Sequence, residues 1–593
     1  MKHHKYNSGI IGNGSYIAHI NTNAEIVWLC WPNFDSSPIF GSLLDKKCGN
    51  FSIIPNTNLI RTSQVYIENT NILRTEIHTE SGSFAVIDFA PRYYENGKLQ
   101  YKRNLYRKII PLEGEVKIKI RISPTYDYGM ETMFPKVLSD HILFDSAEFK
   151  IHTVSNVSLN QIVKENFFHL NQPIFIGLFE SLPNESPIDN YIESEFTKTK
   201  SYWQNWVKHC TIPNFAQKQQ IRSALCLKLH QFQDTGAIIA SSTTSLPEAP
   251  GSGRNWDYRY CWLRDGFYTL YALTNLGQFE ELEMYSQYIS NLTPGAADGR
   301  YQPLYSIFGE SILEEKILSL DGYLGNKPVR IGNSAYTHKQ NDAYGQILLS
   351  LLPLYLDERI PEKNRFHNLN LIRNILNKIE LTISESDAGL WEFRNFSQKH
   401  CYTFLFHWVG AKAAKEILQN LGETELQKKS ELLMEEAEKN IESCFDSTLG
   451  CYTQAQGKKD LDASLLQLIT LGYLDPKSEK AKSHLKAIEE TLKTEEGFLY
   501  RYLHRDDFGK PETTFLVCTF WYIETLACMD RLDEAIQLFQ IVADHANHVG
   551  LFSEDIESLS GNQWGNFPQT YSHVGLVNAA HKISEKRTKS LYW

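Results

Sequence analysis

The stretch RNWDYRYCWLRD, residues 254–265, gathers Arg254, Trp256, Asp257, Tyr258, Trp262, Arg264 and Asp265 into one short segment. An aspartate accepts hydrogen bonds from hydroxyls, and an arginine donates a planar fork of them. Indole and phenol rings add flat apolar walls. Such a set suits the grip of a small polar ring such as a sugar, with hydroxyls on its rim and C–H groups on its faces. A purely architectural reading competes: an internal Arg–Asp network that anchors a helix start.

Two further loops carry acids. SDAGLWEFR, 386–394, sets Glu392 beside Trp391 among apolar residues. A carboxyl desolvated there has a raised pKa, as a general acid needs near neutral pH. The plainer alternative is a helix-start glutamate favoured by the macrodipole. The loop ending at 576, with LFSEDIES, brings Glu554 into polar surroundings. A solvated carboxylate keeps a low pKa and can activate water as a base. The plainer alternative is a surface loop bearing Glu554, Asp555 and Glu557. Two carboxyls in opposite environments suggest glycoside hydrolysis, with inversion if they stand roughly 6.5–9.5 Å apart. LDGYLGNKPVRIGNSAY, 320–336, carries Arg330 but no phosphate-loop pattern, and reads as a turn.

The elements that must position these loops fall into two regions. Residues 1–195 contain short apolar or alternating runs (EIVWLCW, GSFAVIDFA, EGEVKIKIRI, QPIFIGLFE) separated by turn residues, which predicts an antiparallel β-sandwich. Residues 196–212 read as a helical linker. From 213 to 593, ten segments space their apolar residues by three and four, with long aromatic and acidic loops between them. A closed barrel of paired helices with its functional loops at one end would use that pattern.

Composition narrows the classes. The chain has 593 residues, more than one ordinary core accommodates. A net charge of −11 over that length offers no basic face for nucleic acid. Aromatics at 12% suit sugar binding. No apolar run of about 18 residues predicts a membrane span, and the first residues lack the apolar stretch of a signal peptide. The ten cysteines are scattered, without a CxxC pair, and read as reduced thiols of a cytoplasmic protein. His545 and His548 read as surface or packing residues; no metal and no cofactor is expected.

Taken in order, IGNGSYIAHINTNAEIVWLCWPNFDSSPIFGSLLD, SGRNWDYRYCWLRDG, GYLGNKPVRIGN, GLWEFR, DLDASLL, GFLYRY, FLVCTFW, GLFSEDIE and GNFPQTYSHVGLVNAA resemble glycoside hydrolase family 15 nearly end to end. This is the family of glucoamylases, glucodextranases and one type of bacterial and archaeal trehalase. The resemblance implies a multidomain fold, an N-terminal antiparallel β-sandwich packed on an (α/α)6 barrel. It implies inverting exo-action at the non-reducing end of an α-glucoside, a small-molecule substrate. Trehalose is slightly favoured over maltose, short α-glucans or isomalto-sugars, and a sugar-binding protein without turnover is the remote alternative. On the matching positions, Glu392 falls on the general acid and Glu554 on the general base. Arg264 and Asp265 fall on the residues that hold the outer hydroxyls of the terminal glucose. Tyr258 and Trp262 fall on its aromatic surroundings and Arg501 on another substrate-site arginine, and Trp391, beside the acid, is expected among the substrate-binding residues. Arg254, Asn255, Trp256 and Asp257 match the bacterial form of the motif. Two departures stand out. Thr403 and Phe404 replace a usual Ser and Lys and are expected to alter the leaving-group side, and Phe393 follows the acid where some fungal members have a second Glu. Some relatives are dimers, and a homodimer is compatible with this chain.

Overall fold

The computed structural model describes residues 4–183, 187–292, 299–361 and 368–587. The first region forms two antiparallel sheets. One runs Ser8–Gly12, Ile17–Asn21, Ile26–Cys30, Asn50–Pro55, Lys117–Ser123 and Phe168–His169, with Pro38–Phe40 added beside Ile26–Cys30. The other runs Pro135–Val137, Ile142–Asp145, Lys150–Ser155, Ile174–Phe179, Asn104–Gly114, Gly82–Phe89, Leu73–Thr79 and Leu59–Tyr66. Alternation along Gly82–Phe89 shows the layering. Phe84 and Val86 join the core between the sheets, while Ile87 and Phe89 join a second cluster on the opposite face. Successive side chains of a strand point to opposite faces, so a strand covered on both sides reads as nearly continuous apolar sequence. A short helix, α1 (Leu159–Val163), lies beside Lys117–Ser123.

Helix α2 (Ile188–Lys208) supplies the outer cover, burying Tyr191 and Ile192 against the second sheet. It begins before the expected linker start at 196, because Pro187 caps a helix whose first turn already packs on the sheet.

The remaining helices form two rings. The inner ring is α4 (Leu263–Asn275), α6 (Asp342–Leu356), α8 (Cys401–Leu421), α10 (Gln467–Thr470, entered by the 3-10 turn Ala463–Leu466), α12 (Leu516–Cys528) and α14 (Thr570–Arg587). Each touches the next, α8 through the 3-10 turn that enters α10, and α14 returns to α4. The outer helices are α3 (Gln217–Leu229), α5 (Phe279–Asn291), α7 (Leu369–Thr382), α9 (Thr424–Glu442), α11 (Glu479–Leu492) and α13 (Leu532–Asp544). Sequence separates the rings. Every residue of α12 is buried, as a helix surrounded by others requires, whereas α7 buries one stripe of Leu371, Ile372, Ile375, Leu376 and Ile379. Inner helices α6 and α8 cross at glycines: a Cβ on Gly345 would lie 1.8 Å from the Phe406 carbonyl oxygen.

The site loops share one position. Segments 254–262, 333–341, 387–400, 501–515 and 553–569 each run into the N-terminus of an inner helix. They are stitched by short pairings: Cys261–Trp262 with Leu304–Tyr305, and Thr514–Phe515 with Asp555–Ile556 and Gln563–Trp564. No helix among the described residues is long and apolar enough to cross a membrane.

Candidate active site

These loops enclose one pocket at the N-terminal ends of the inner helices. Glu392, Glu554, Tyr258, Trp262, Arg264, Asp265, Trp391, Arg501, Arg254 and Trp256 all line it. Arg264 and Asp265 stand in the first turn of α4, immediately after the strand pair fixes Trp262.

Asp257 does not reach the pocket. It is fully buried and pairs with Arg259 at 2.7 Å, also accepting the Gly332 N–H at 3.2 Å. Arg259 then reaches the sandwich, donating to the Ser36 carbonyl at 2.8 Å and the Tyr128 hydroxyl at 2.7 Å. Thus Asp257 and Arg259 follow the architectural reading of RNWDYRYCWLRD, while Arg254, Trp256, Tyr258, Trp262, Arg264 and Asp265 line the pocket. Asn255 is also structural, donating to the Pro328 carbonyl at 3.0 Å.

Glu392 sits in a left-handed turn, φ 62°, not at a helix start. The Trp262 indole (2.7 Å), the Arg264 guanidinium (3.2 Å) and the Gln340 amide (3.2 Å) all donate to its Oε1. Burial pushes its pKa up, but the positive charges of Arg264 and His338 and these hydrogen bonds outweigh burial and hold it below the usual carboxyl range. The expected rise from Trp391 is therefore overturned. The Trp391 indole turns instead to Asp462 Oδ2, at 2.9 Å.

Glu554 is the reverse case. It is 2% exposed, not solvated. Burial pushes its pKa well up, and the neighbouring negative charges of Asp555 and Glu248 push further; the Tyr258 hydroxyl and Arg501 oppose them. Tyr258 donates to Oε1 at 2.8 Å, while Oε2 has no hydrogen-bond partner. Asp555 is likewise raised, first by burial and then by Glu248. Three buried acids thus share Arg501, which pairs with Glu248, and Glu554 and Asp555 hold on to a proton as a pair.

Sequence reasoning missed Glu248, Gln340 and His338, which carry no local motif. It also read Arg330 as part of a simple turn. Arg330 and Arg394 lie 4.6 and 4.5 Å from the Trp256 ring and are joined through Glu315, so they fix Trp256 at the pocket wall. Thr403 and Phe404 do not line the pocket. Phe404 is 1% exposed in the barrel core. Thr403 donates to Asp387 Oδ2 at 2.9 Å, one of the contacts beneath the Glu392 loop. Residue type suggested a site role, but both lie within α8 and face its neighbours.

Residues 215–581 match the family model described as glycosyl hydrolases family 15, and residues 6–156 match that described as trehalase-like, N-terminal. The chain is 32% identical to a trehalase of Thermoplasma volcanium, over 98% of this chain and 94% of that protein. It is 29% identical to a trehalase of Mycobacterium tuberculosis, over 94% and 86%. A bacterial glucoamylase solved with acarbose shares the fold, with a TM-score of 0.66 and 14% identity, over 99% of this chain and 98% of that one.

Proposed function

The chain belongs to glycosyl hydrolases family 15 and is a glycoside hydrolase, and from that premise we propose that it splits trehalose with inversion, releasing one glucose in the β form. The observation that carries this reading is a single pocket holding Glu392 and Glu554, each with donors fixed on only one carboxyl oxygen. Relatives matched over most of the chain that bear the name trehalase favour trehalose over α-glucans.

Glu392 is the general acid by its matching family position; Arg264 and its other donors hold its pKa down, so its protonated form depends on substrate displacing water beside it, which raises the pKa of a carboxyl. Three donors occupy its Oε1, so a proton on this carboxyl sits on Oε2 and passes from there to the glycosidic oxygen. Glu554 is the general base. Its carboxylate accepts a proton from the attacking water, with the Tyr258 hydroxyl holding Oε1 and Oε2 buried against Gly565. For Glu554 to be ionised, the proton held by the pair must rest on Asp555, whose Oδ2 also lacks a partner. Arg264 and Asp265 hold the hydroxyls of the terminal glucose, and Tyr258 and Trp262, 5.4 Å apart and edge to face, form its wall. Water is excluded as the ring flattens towards an oxocarbenium ion, so the fixed dipoles act at low dielectric.

The test is glucose release from trehalose, maltose, maltotriose and isomaltose in phosphate-free buffer, with the first-formed anomer read by proton NMR. Fast release from trehalose, with α- and β-glucose formed in equal initial amounts, is expected. Preference for maltotriose would replace trehalose with α-glucans, and initial release of α-glucose alone from trehalose would overturn inversion.

A further inference from the structure

The N-terminal segment of the sandwich reaches across to the wall behind Glu554. The Gln563 N–H donates to the His4 carbonyl at 2.7 Å, and the His4 N–H donates to Asn562 Oδ1 at 2.6 Å. The His4 ring stacks on Trp564, with centroids 4.1 Å apart and planes 12° apart. Tyr6 is buried, stacks on Phe567 at 4.8 Å and donates its hydroxyl to the Gly565 carbonyl at 2.8 Å. Asn547 donates to the carbonyls of Tyr6 and Ser8, at 2.8 and 2.9 Å, and pins the arm itself.

What the arm holds is the surface against which Glu554 rests. Gly565 has φ 81°, and a Cβ there would lie 2.6 Å from Glu554 Cβ and 2.7 Å from Oε2. Trp564 is paired in register with Asp555. The Gly565 N–H donates to the Pro247 carbonyl at 2.7 Å, next to Glu248. A shift of residues 563–567 therefore moves Glu554 directly and its two acidic neighbours with it.

We propose that His4 and Tyr6 are positioning residues for the water-activating carboxylate, so that the N-terminal domain takes part in hydrolysis through residues 563–567. This rests on the reading of Glu554 as general base. Such a residue acts on turnover more than on substrate binding, because displacement of a reacting group by about 1 Å costs up to about 10²-fold in rate.

The test is a double-mutant cycle in the full chain, with Tyr6→Phe and Glu554→Gln, followed by kcat and KM on trehalose. Tyr6→Phe deletes one hydroxyl and keeps the ring, so folding is retained; Tyr6→Ala is the stronger variant. Tyr6→Phe is expected to lower kcat about 5-fold, the scale of one lost hydrogen bond, with KM little changed. In the Glu554→Gln background it is expected to do nothing further. An equal loss in both backgrounds assigns Tyr6 a general structural role and overturns the proposal. Unchanged kcat in both Tyr6→Phe and a folded Tyr6→Ala overturns it too. Near-normal turnover by Glu554→Gln alone would instead remove the general-base reading, and the proposal with it.

Discussion

The two carboxyls of the pocket are held by opposite means. Around Glu392 the protein gathers donors and positive charge; around Glu554 it gathers other acids. The chain neighbours suggest the reverse, since Glu392 follows a tryptophan and Glu554 lies in a polar loop. The decisive partners are remote in sequence. Arg264 is 128 residues from Glu392, and Glu248, which presses on Glu554, belongs to a segment before the first inner helix. A carboxyl's titration is set by what the fold brings near it, and adjacent residues only supply candidates.

The comparison is broken most severely by neutralising either acid. Glu392→Gln and Glu554→Gln should each lower kcat by about 10²-fold or more, measured on trehalose. Their stabilities should diverge. Glu392 has a depressed pKa, so its charge stabilises the fold above the ordinary carboxyl range and that gain is lost as pH falls through its folded pKa. Glu554 has a raised pKa, so keeping it costs stability as pH rises above the ordinary carboxyl range. At pH 7, Glu392→Gln should therefore be less stable and Glu554→Gln more stable, by about 1 kcal/mol each. Denaturant melts at pH 7 and pH 4 check this, the difference shrinking at the lower pH. The same sign for both variants at pH 7 would refute the asymmetry.

Next in size is Gly565→Ala. The new methyl group meets Glu554 within 2.6–2.7 Å, on backbone at φ 81° that favours glycine. A fall in kcat of up to about 10²-fold with KM nearly unchanged is expected. A matched rise in KM alone would mean that this wall contacts substrate and not the base.

Smaller shifts sharpen the contrast without destroying it. Gln340→Leu removes a donor from Glu392 Oε1 and should raise the pKa of that carboxyl. Asp555→Asn removes a negative neighbour of Glu554 and should lower that one. The pH dependence of kcat/KM reports both. One limb should move up in the first variant and the other down in the second; movement of the same limb in both would show that the two carboxyls titrate as a single unit.

Much of this architecture was legible in sequence, and the exceptions have physical causes. Ten barrel helices announce themselves by periodicity. Helix α10 does not, because its four residues and the preceding 3-10 turn are too short to show a period of 3.6. Helix α5 opens with polar FEELE, which weakens its apolar stripe. Arg264, Asp265 and Trp262, where type and family position coincide, do line the pocket. Asp257 has the same type as Asp265 only a few positions earlier, yet it faces Arg259 and not the pocket. Residue type signals a site; direction depends on the turn, which sequence does not print.

Thr403 and Phe404 test that distinction with the smallest effect. Both stand where a change of residue suggests a change of substrate, and neither lines the pocket. Phe404 packs in the barrel core beside α8's neighbours, so Phe404→Leu should cost about 1–2 kcal/mol of stability, the scale of an imperfect swap in a packed core. The ratio of trehalose to maltose turnover should not move, because no pocket wall has changed. Trp256→Leu is the matched contrast. Trp256 lines the pocket, bonded to Glu248 at 3.0 Å and flanked by Arg330 and Arg394, and its loss should change that ratio while costing less stability. If Phe404→Leu altered the ratio and Trp256→Leu did not, selectivity would be set through the packing of α8, and the pocket wall would not be its source.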